Sequence, residues 1–220
     1  MTEIGPIETD YAGYRFRSRL EARWAVFFDK IGIPWEYEAE GYETPLGRYL
    51  PDFRLKLHDR HVLFEVKPDR GVNPKDPRSV ELDRRWVHVA GISEFYATYG
   101  LPRISRAREM DDGLFGWDGF PRSDKLLGFV KVEPDGEWWS HNFFCECPRC
   151  WAIDIRLGGC MLDEDPARRS STNEYERWKF ACCGGEFTPG CRPYLGGVAK
   201  IGRAYDDARA ARFEFGESGR

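Results

Sequence analysis

The sequence predicts an α/β fold, in which a mixed sheet flanked by helices is joined to a small zinc-binding β module. Apolar residues recur at helical spacing over residues 18–31, and apolar and polar residues alternate in two segments that follow. The seven cysteines all lie between Cys145 and Cys191. We therefore expect a first domain over residues 1–112 and a cysteine-rich module over residues 113–220.

The first predicted element is a helix over residues 18–31. Ser18 is followed three residues later by Glu21, the pattern of a capping box, and Gly32 is a natural stop at the other end. The apolar residues of this segment would form one buried stripe: Leu20, Trp24, Phe27, Phe28 and Ile31.

Three strands are predicted after this helix. Trp35 and Tyr37 alternate with acidic residues, which is typical of a strand with one buried face. A second alternating segment begins at Phe53, and a third strand covers residues 62–67 after a turn at residues 58–60.

Further elements complete the predicted first domain. A loop rich in glycine and proline precedes a short helix over residues 79–85, a strand over residues 86–90 and a second short helix over residues 93–99. The order of helix, three strands, helix and strand implies a mixed sheet with flanking helices. The polar residues 208–220 are expected to fray.

The composition excludes a membrane-spanning protein. Mean hydropathy is −0.60, and no apolar run approaches the roughly 18 residues that a spanning helix needs. The first residues are acidic and lack an apolar stretch, so we expect no secretory signal and a cytoplasmic location. The net charge of −4 is not that of a strongly basic nucleic-acid binder, although local basic clusters can still contact phosphates.

Acidic residues on two neighbouring predicted strands suggest a metal site. Side chains alternate along a strand, so Glu65 and Lys67 share one face, and the short turn brings Asp52 beside Glu65. Two carboxylates this close repel unless a cation neutralises them, and Mg²⁺ or Mn²⁺ takes oxygen ligands. The alternative is an exposed strand, with Asp52 a turn residue after Pro51 and Glu21 only a capping residue.

The joint pattern resembles a known nuclease family. The runs FRSRLEARWAVFFDKIGIPWEYE, YLPDFRL and FEVK resemble phage junction-resolving enzymes of the endonuclease I type, within the PD-(D/E)XK nuclease superfamily. The resemblance covers residues 16–67 and implies a restriction-endonuclease-like fold. It also implies Mg²⁺-dependent DNA cleavage that leaves 5′-phosphate and 3′-hydroxyl ends, in phage or mobile-element DNA processing or in defence.

The same resemblance implies a role for each site residue. Asp52 and Glu65 would be the principal metal ligands, together with the main-chain carbonyl of Val66. Lys67 would be the catalytic lysine, and Glu21 would help to bind a second metal. A homodimer is left open, as are two other functions: an inactive nuclease-fold protein that binds DNA, and a zinc-dependent interaction protein.

Basic residues crowd the start of the predicted first helix. Arg15 and Arg17 precede it, and Arg19 and Arg23 lie four residues apart on one helical face. We expect Arg19 and Arg23 to contact DNA phosphates near the carboxylates. The alternative is a solvated face balanced by neighbouring acids.

The cysteines predict a structural zinc site. Cys147 and Cys150 form a CxxC turn, and Cys182 and Cys183 supply a second pair about thirty residues later. Four thiolates would close a tetrahedral site around Zn²⁺ and leave no position for a substrate. Cysteines buried without metal are the alternative. Further candidate ligands are Cys145, Cys191 and, more weakly, His141.

Overall fold

The structure is a computed structural model, and it describes residues 6–68, 84–101, 129–132, 134, 138–146, 150–157 and 199–213. Two small hairpins are formed by β1 (Thr9–Tyr11) with β2 (Tyr14–Phe16), and by β4 (Tyr42–Thr44) with β5 (Gly47–Tyr49). The helices are α1 (Arg19–Ile31), a 3₁₀ helix (Arg84–His88) and α2 (Ala199–Ala210). The remaining strands are β3 (Trp35–Tyr37), β6 (Phe53–Lys56), β7 (His61–Lys67), β8 (Ile92–Tyr99), β9 (Phe129–Val132), β10 (Trp138–Glu146) and β11 (Ile153–Leu157).

These seven strands form one sheet in the order β11-β10-β9-β8-β7-β6-β3. Among the described strands, β7 and β8 are the only neighbours that run parallel, and the other pairs are antiparallel. The predicted α/β class is confirmed at this level, as a mixed and mostly antiparallel sheet with few helices. No helix within the described residues has the length and apolar character needed to cross a membrane.

Helix α1 has the caps that the sequence predicts. The Ser18 hydroxyl accepts a hydrogen bond from the Glu21 N–H, at 3.2 Å. Gly32 ends the helix in the left-handed conformation, with φ at +78°, and its N–H donates to carbonyls of the last turn. The predicted apolar stripe packs against the sheet, with Phe27 and Phe28 fully buried.

The strand prediction is confirmed for β3, β6 and β7 and is wrong at two later segments. Residues 86–90 were expected to form a strand, but the 3₁₀ helix and a turn occupy them. Residues 93–99 were expected to form a helix, but they form most of β8. The buried apolar residues form two clusters, one around α1 and one around Trp86. Tyr96 belongs to the first and Phe95 to the second, so both faces of β8 are buried and its sequence lacks alternation. Of the helix predicted at 79–85, residues 79–83 lie outside the described residues.

The chain after residue 112 contributes to the same sheet and core. Strands β9, β10 and β11 extend the sheet from β8, and α2 packs against α1. Tyr205 stacks on Phe27 with ring centroids 4.3 Å apart. The division predicted at residue 112 does not separate these described elements.

The predicted fraying from residue 208 onward is wrong for its first part. Helix α2 continues to Ala210, and both Ala208 and Ala211 are buried. Ile201, Ala204 and Ala208 recur at helical spacing and face the core, which gives this segment a reason to be ordered.

Candidate active site

Asp52 and Glu65 come together because β6 and β7 are antiparallel neighbours. Phe53 pairs with Phe64, and continuing this register by one residue places Asp52 beside Glu65. Each of the two residues is about 4% exposed. The Asp52 Oδ2 accepts a hydrogen bond from the Val66 N–H at 2.8 Å, which holds the carboxylate against the main chain of β7.

Lys67 shares the side of β7 that carries Glu65. Its Nζ lies 2.8 Å from Glu65 Oε2, and the Tyr49 hydroxyl donates to Glu65 Oε1 at 3.2 Å. Lys67 is about one third exposed at the side chain, whereas Glu65 is buried. The ammonium group therefore lies between the buried carboxylate and the solvent.

Glu21 reaches the same region from the first turn of α1. Its Oε1 accepts from the Ser18 hydroxyl at 2.8 Å, and its Oε2 accepts from the Tyr37 hydroxyl at 2.5 Å. Burial, and then the bond to Glu21, raise the pKa of Tyr37, so its hydroxyl stays protonated. The Glu21 carboxylate thus contacts the capping residue Ser18 and also contributes negative charge near Asp52.

The pKa of Asp52 is raised to about 7 by its surroundings. Burial is the largest cause, followed by the charge of Glu65, and Glu21 acts in the same direction. The Val66 N–H and the Lys67 charge oppose this rise without cancelling it. The site consequently favours a proton or a positive ion at Asp52.

Arg17 supplies one such positive group. Its Nη2 donates to Asp52 Oδ1 at 2.5 Å and its Nε lies 2.7 Å from Glu38 Oε1. The sequence places Arg17 in a basic cluster but gives no sign of this contact, because it joins residues 35 positions apart. The hydrogen bonds of Tyr37 and Tyr49 to the carboxylates were missed for the same reason, since each joins residues 16 positions apart.

The two carboxylates fit a divalent cation only in part. Asp52 and Glu65 offer the oxygen ligands that Mg²⁺ prefers, at a place where burial disfavours uncompensated charge. Within the described stretches, no group of three or more acidic, histidine or cysteine side chains is arranged to hold a metal. A cation would therefore take the rest of its shell from main-chain oxygen, water or substrate, which is usual for Mg²⁺.

The structure describes only some of the residues that were predicted to contact DNA or to bind zinc. Arg19 and Arg23 are both half-buried on α1. Cys150 lies in an exposed turn, and Cys145 lies in β10 at the position paired with Asp154. The other predicted or alternate zinc ligands lie outside the described residues: Cys147, Cys182, Cys183 and Cys191. His141 lies in β10, and the zinc site stays a prediction.

We compared the chain with protein-family models, with curated proteins and with solved structures, and none of the three comparisons found a match. The chemistry of the site is therefore inferred from its own residues: two adjacent buried carboxylates, a lysine at their edge and a glutamate from the first helix.

Proposed function

We propose that this chain is a Mg²⁺-dependent DNA endonuclease of the PD-(D/E)XK type. One observation carries the proposal: Asp52 and Glu65 are buried side by side, and Lys67 lies 2.8 Å from Glu65 at the solvent edge. Such a site favours a bound cation, and a hydrated divalent cation next to a lysine is suited to hydrolysis of a phosphodiester.

The order of the elements supports the restriction-endonuclease-like fold that the resemblance implies. Helix α1 is followed by β3, β6 and β7, and β8 then joins the sheet parallel to β7. The helix and the three strands after it follow the predicted order, whereas β8 lies where a short helix was expected and the strand expected at residues 86–90 is a 3₁₀ helix and a turn. The carboxylates lie where β6 begins and β7 ends, and the first turn of α1 brings Glu21 to the same place.

Each residue has a distinct task in the proposed reaction. Asp52, Glu65 and the main-chain carbonyl of Val66 would hold Mg²⁺, which supplies a polarised phosphate and an acidified water. Lys67 orients the attacking water and offsets the charge that grows on the phosphate. Water adds to phosphorus as the bond to the 3′ oxygen breaks, which leaves a 5′-phosphate and a 3′-hydroxyl. Tyr49 keeps Glu65 oriented through its hydroxyl.

Cleavage of supercoiled plasmid and of a four-way DNA junction with Mg²⁺ or Mn²⁺ tests this function. The wild type should cut, Asp52→Asn should be inactive, and Lys67→Met should lose about a hundredfold or more of the rate. Lys56→Met is the matched control, because Lys56 is an exposed lysine on neighbouring β6. Equal cutting by wild type and Asp52→Asn would reject the proposal.

The Arg17–Asp52 contact favours one second candidate, a nuclease-fold protein that binds DNA without cutting it. An arginine that permanently neutralises Asp52 would leave no role there for a metal. DNA binding without cleavage under any divalent cation would support this candidate. If the protein neither binds nor cuts DNA, the remaining candidate is a zinc-dependent interaction protein.

We also propose that Zn²⁺ folds the cysteine-rich part through Cys147, Cys150, Cys182 and Cys183. Metal analysis of purified protein by mass spectrometry should find about one zinc per chain, as a closed four-thiolate site holds. Less than half a zinc per chain would contradict it.

A further inference from the structure

We propose that Arg17 exchanges partners during the reaction cycle. It neutralises Asp52 while no metal is bound, and it grips a phosphate of the DNA once a metal has taken its place. This inference rests on the proposed function, because it assigns a substrate-binding residue to the same site.

The contacts of Arg17 place its guanidinium between the buried carboxylate and the solvent. Its side chain is 56% exposed, whereas that of Asp52 is only 6% exposed. The guanidinium is therefore the outer partner of this pair, and it lies on the side from which an ion or a phosphate would approach Asp52. Because more than half of the Arg17 side chain is already in water, the guanidinium stays well solvated when it leaves Asp52.

Arg17 is anchored independently of Asp52. Its main-chain N–H donates to the Tyr37 hydroxyl at 3.1 Å, and its Nε faces Glu38 at 2.7 Å. Glu38 adopts a left-handed backbone conformation, with φ at +42°, and its N–H donates to the Asp52 carbonyl at 3.0 Å. The main-chain contact and Glu38 would keep Arg17 at the site after the Asp52 contact breaks.

Charge makes the two states of Arg17 exclusive. A guanidinium and a divalent cation in contact with the same Asp52 oxygen would repel each other strongly, so a bound metal should displace Nη2. The freed N–H groups match the geometry of phosphate oxygens, which arginine binds through paired hydrogen bonds. The displaced side chain would meet the DNA backbone at the rim of the site, beside the scissile position.

Metal binding and DNA binding of Arg17→Gln test the exchange without reference to turnover. By calorimetry, Mn²⁺ should bind Arg17→Gln about threefold to tenfold more tightly than wild type, because a competing charge has gone. Added Mn²⁺ should also raise the melting temperature of the variant more. DNA affinity in Ca²⁺, measured by anisotropy with the DNA checked for cleavage, should fall about tenfold.

Two further variants make the outcome specific. Arg15→Gln removes a charge two residues away that pairs with Glu8 instead, so both affinities should stay within twofold of wild type. Arg17→Lys keeps the charge but loses the paired donors. It should bind Mn²⁺ like wild type and DNA more weakly, and its DNA affinity tests the phosphate contact if Arg17→Gln does not fold.

The possible failures are distinguishable. Equal Mn²⁺ affinity in wild type and Arg17→Gln, or unchanged DNA affinity, would overturn the exchange even if wild-type protein cuts plasmid. If neither protein binds Mn²⁺ and wild type does not cut, the proposed function fails as well.

Discussion

Asp52 is held between groups of both charges. Arg17 and the Val66 N–H contact its two oxygens, while Glu65 lies beside it at the paired position. Burial and the negative charge of Glu65 outweigh the favourable contacts in setting its proton affinity. When Asp52 is ionised, it therefore lowers the stability of the folded protein, and a cation bound to its carboxylate would offset this destabilisation.

Asp52 should therefore impose a pH dependence on stability. An unfolded aspartate has a pKa of about 4, and that of Asp52 is raised to about 7. Between these two pH values the folded chain keeps a proton on Asp52 that the unfolded chain has released. The stabilisation that this proton gives the folded state is therefore present below pH 4 and is lost as pH rises through 7. In Mg²⁺-free buffer, urea unfolding of Asp52→Asn should show less of this loss than wild type.

Asp10→Asn provides the control for this measurement, because Asp10 is an exposed aspartate on β1. Its unfolding free energy should follow the wild-type pH profile. Parallel profiles for wild type and Asp52→Asn from pH 4 to 8 would mean that Asp52 is ionised throughout this range.

At the scale of elements, α1 joins folding to the site. Its apolar stripe is buried against the sheet, and its first turn directs Glu21 toward Asp52. The Ser18 hydroxyl accepts from the Glu21 N–H and donates to the Glu21 carboxylate, so one side chain caps the helix and orients an acidic group. The start of α1 is thus fixed by a serine that also orients a carboxylate of the site.

Ser18→Ala should lower the unfolding free energy by about 1 kcal/mol, since an N-terminal hydroxyl cap is lost. Urea denaturation measures this change. Ser93→Ala is the matched control, because Ser93 is exposed on β8 and its hydroxyl bond to the His61 carbonyl is long, at 3.4 Å. Equal stability of the two variants would show that Ser18 does not cap α1.

At the scale of the whole molecule, distant parts of the chain share one sheet and the two hydrophobic clusters that pack on it. Arg60, in the turn between β6 and β7, lies 2.6 Å from Glu94 of β8 and 2.9 Å from Asp154 of β11. Although burial acts the other way, the charge of Arg60 lowers the pKa of Glu94 and keeps it ionised. Helix α2 packs against α1 and supplies Tyr205 to the aromatic cluster around Phe27.

Tyr205→Ala should destabilise the whole protein by about 3–5 kcal/mol, the usual cost of removing a buried aromatic side chain. Thermal unfolding of Tyr205→Ala should show a single transition at a lower temperature than that of wild type. Asp207→Ala on the same helix removes only a half-exposed ion pair to Lys30 and should cost less than about 1 kcal/mol. Similar losses in both variants would argue against a core role for α2.

The sequence by itself determined the elements that depend on near neighbours. The caps Ser18 and Gly32 and the apolar period between them define α1. Alternation along β6 and β7, with a short turn between them, was enough to predict that Asp52, Glu65 and Lys67 would meet. In both cases the spacing of a few residues fixes the geometry, because helices and hairpins repeat over short distances.

Only the tertiary structure decided the features that depend on long-range contacts. β8 is a strand because β7 and β9 pair with it and both of its faces are covered, a condition that leaves no period in its own residues. Arg17 contacts Asp52 through the approach of the α1 start to β6, and Tyr49 contacts Glu65 through the hairpin next to β7. Such contacts arise from packing between elements, which no local spacing encodes.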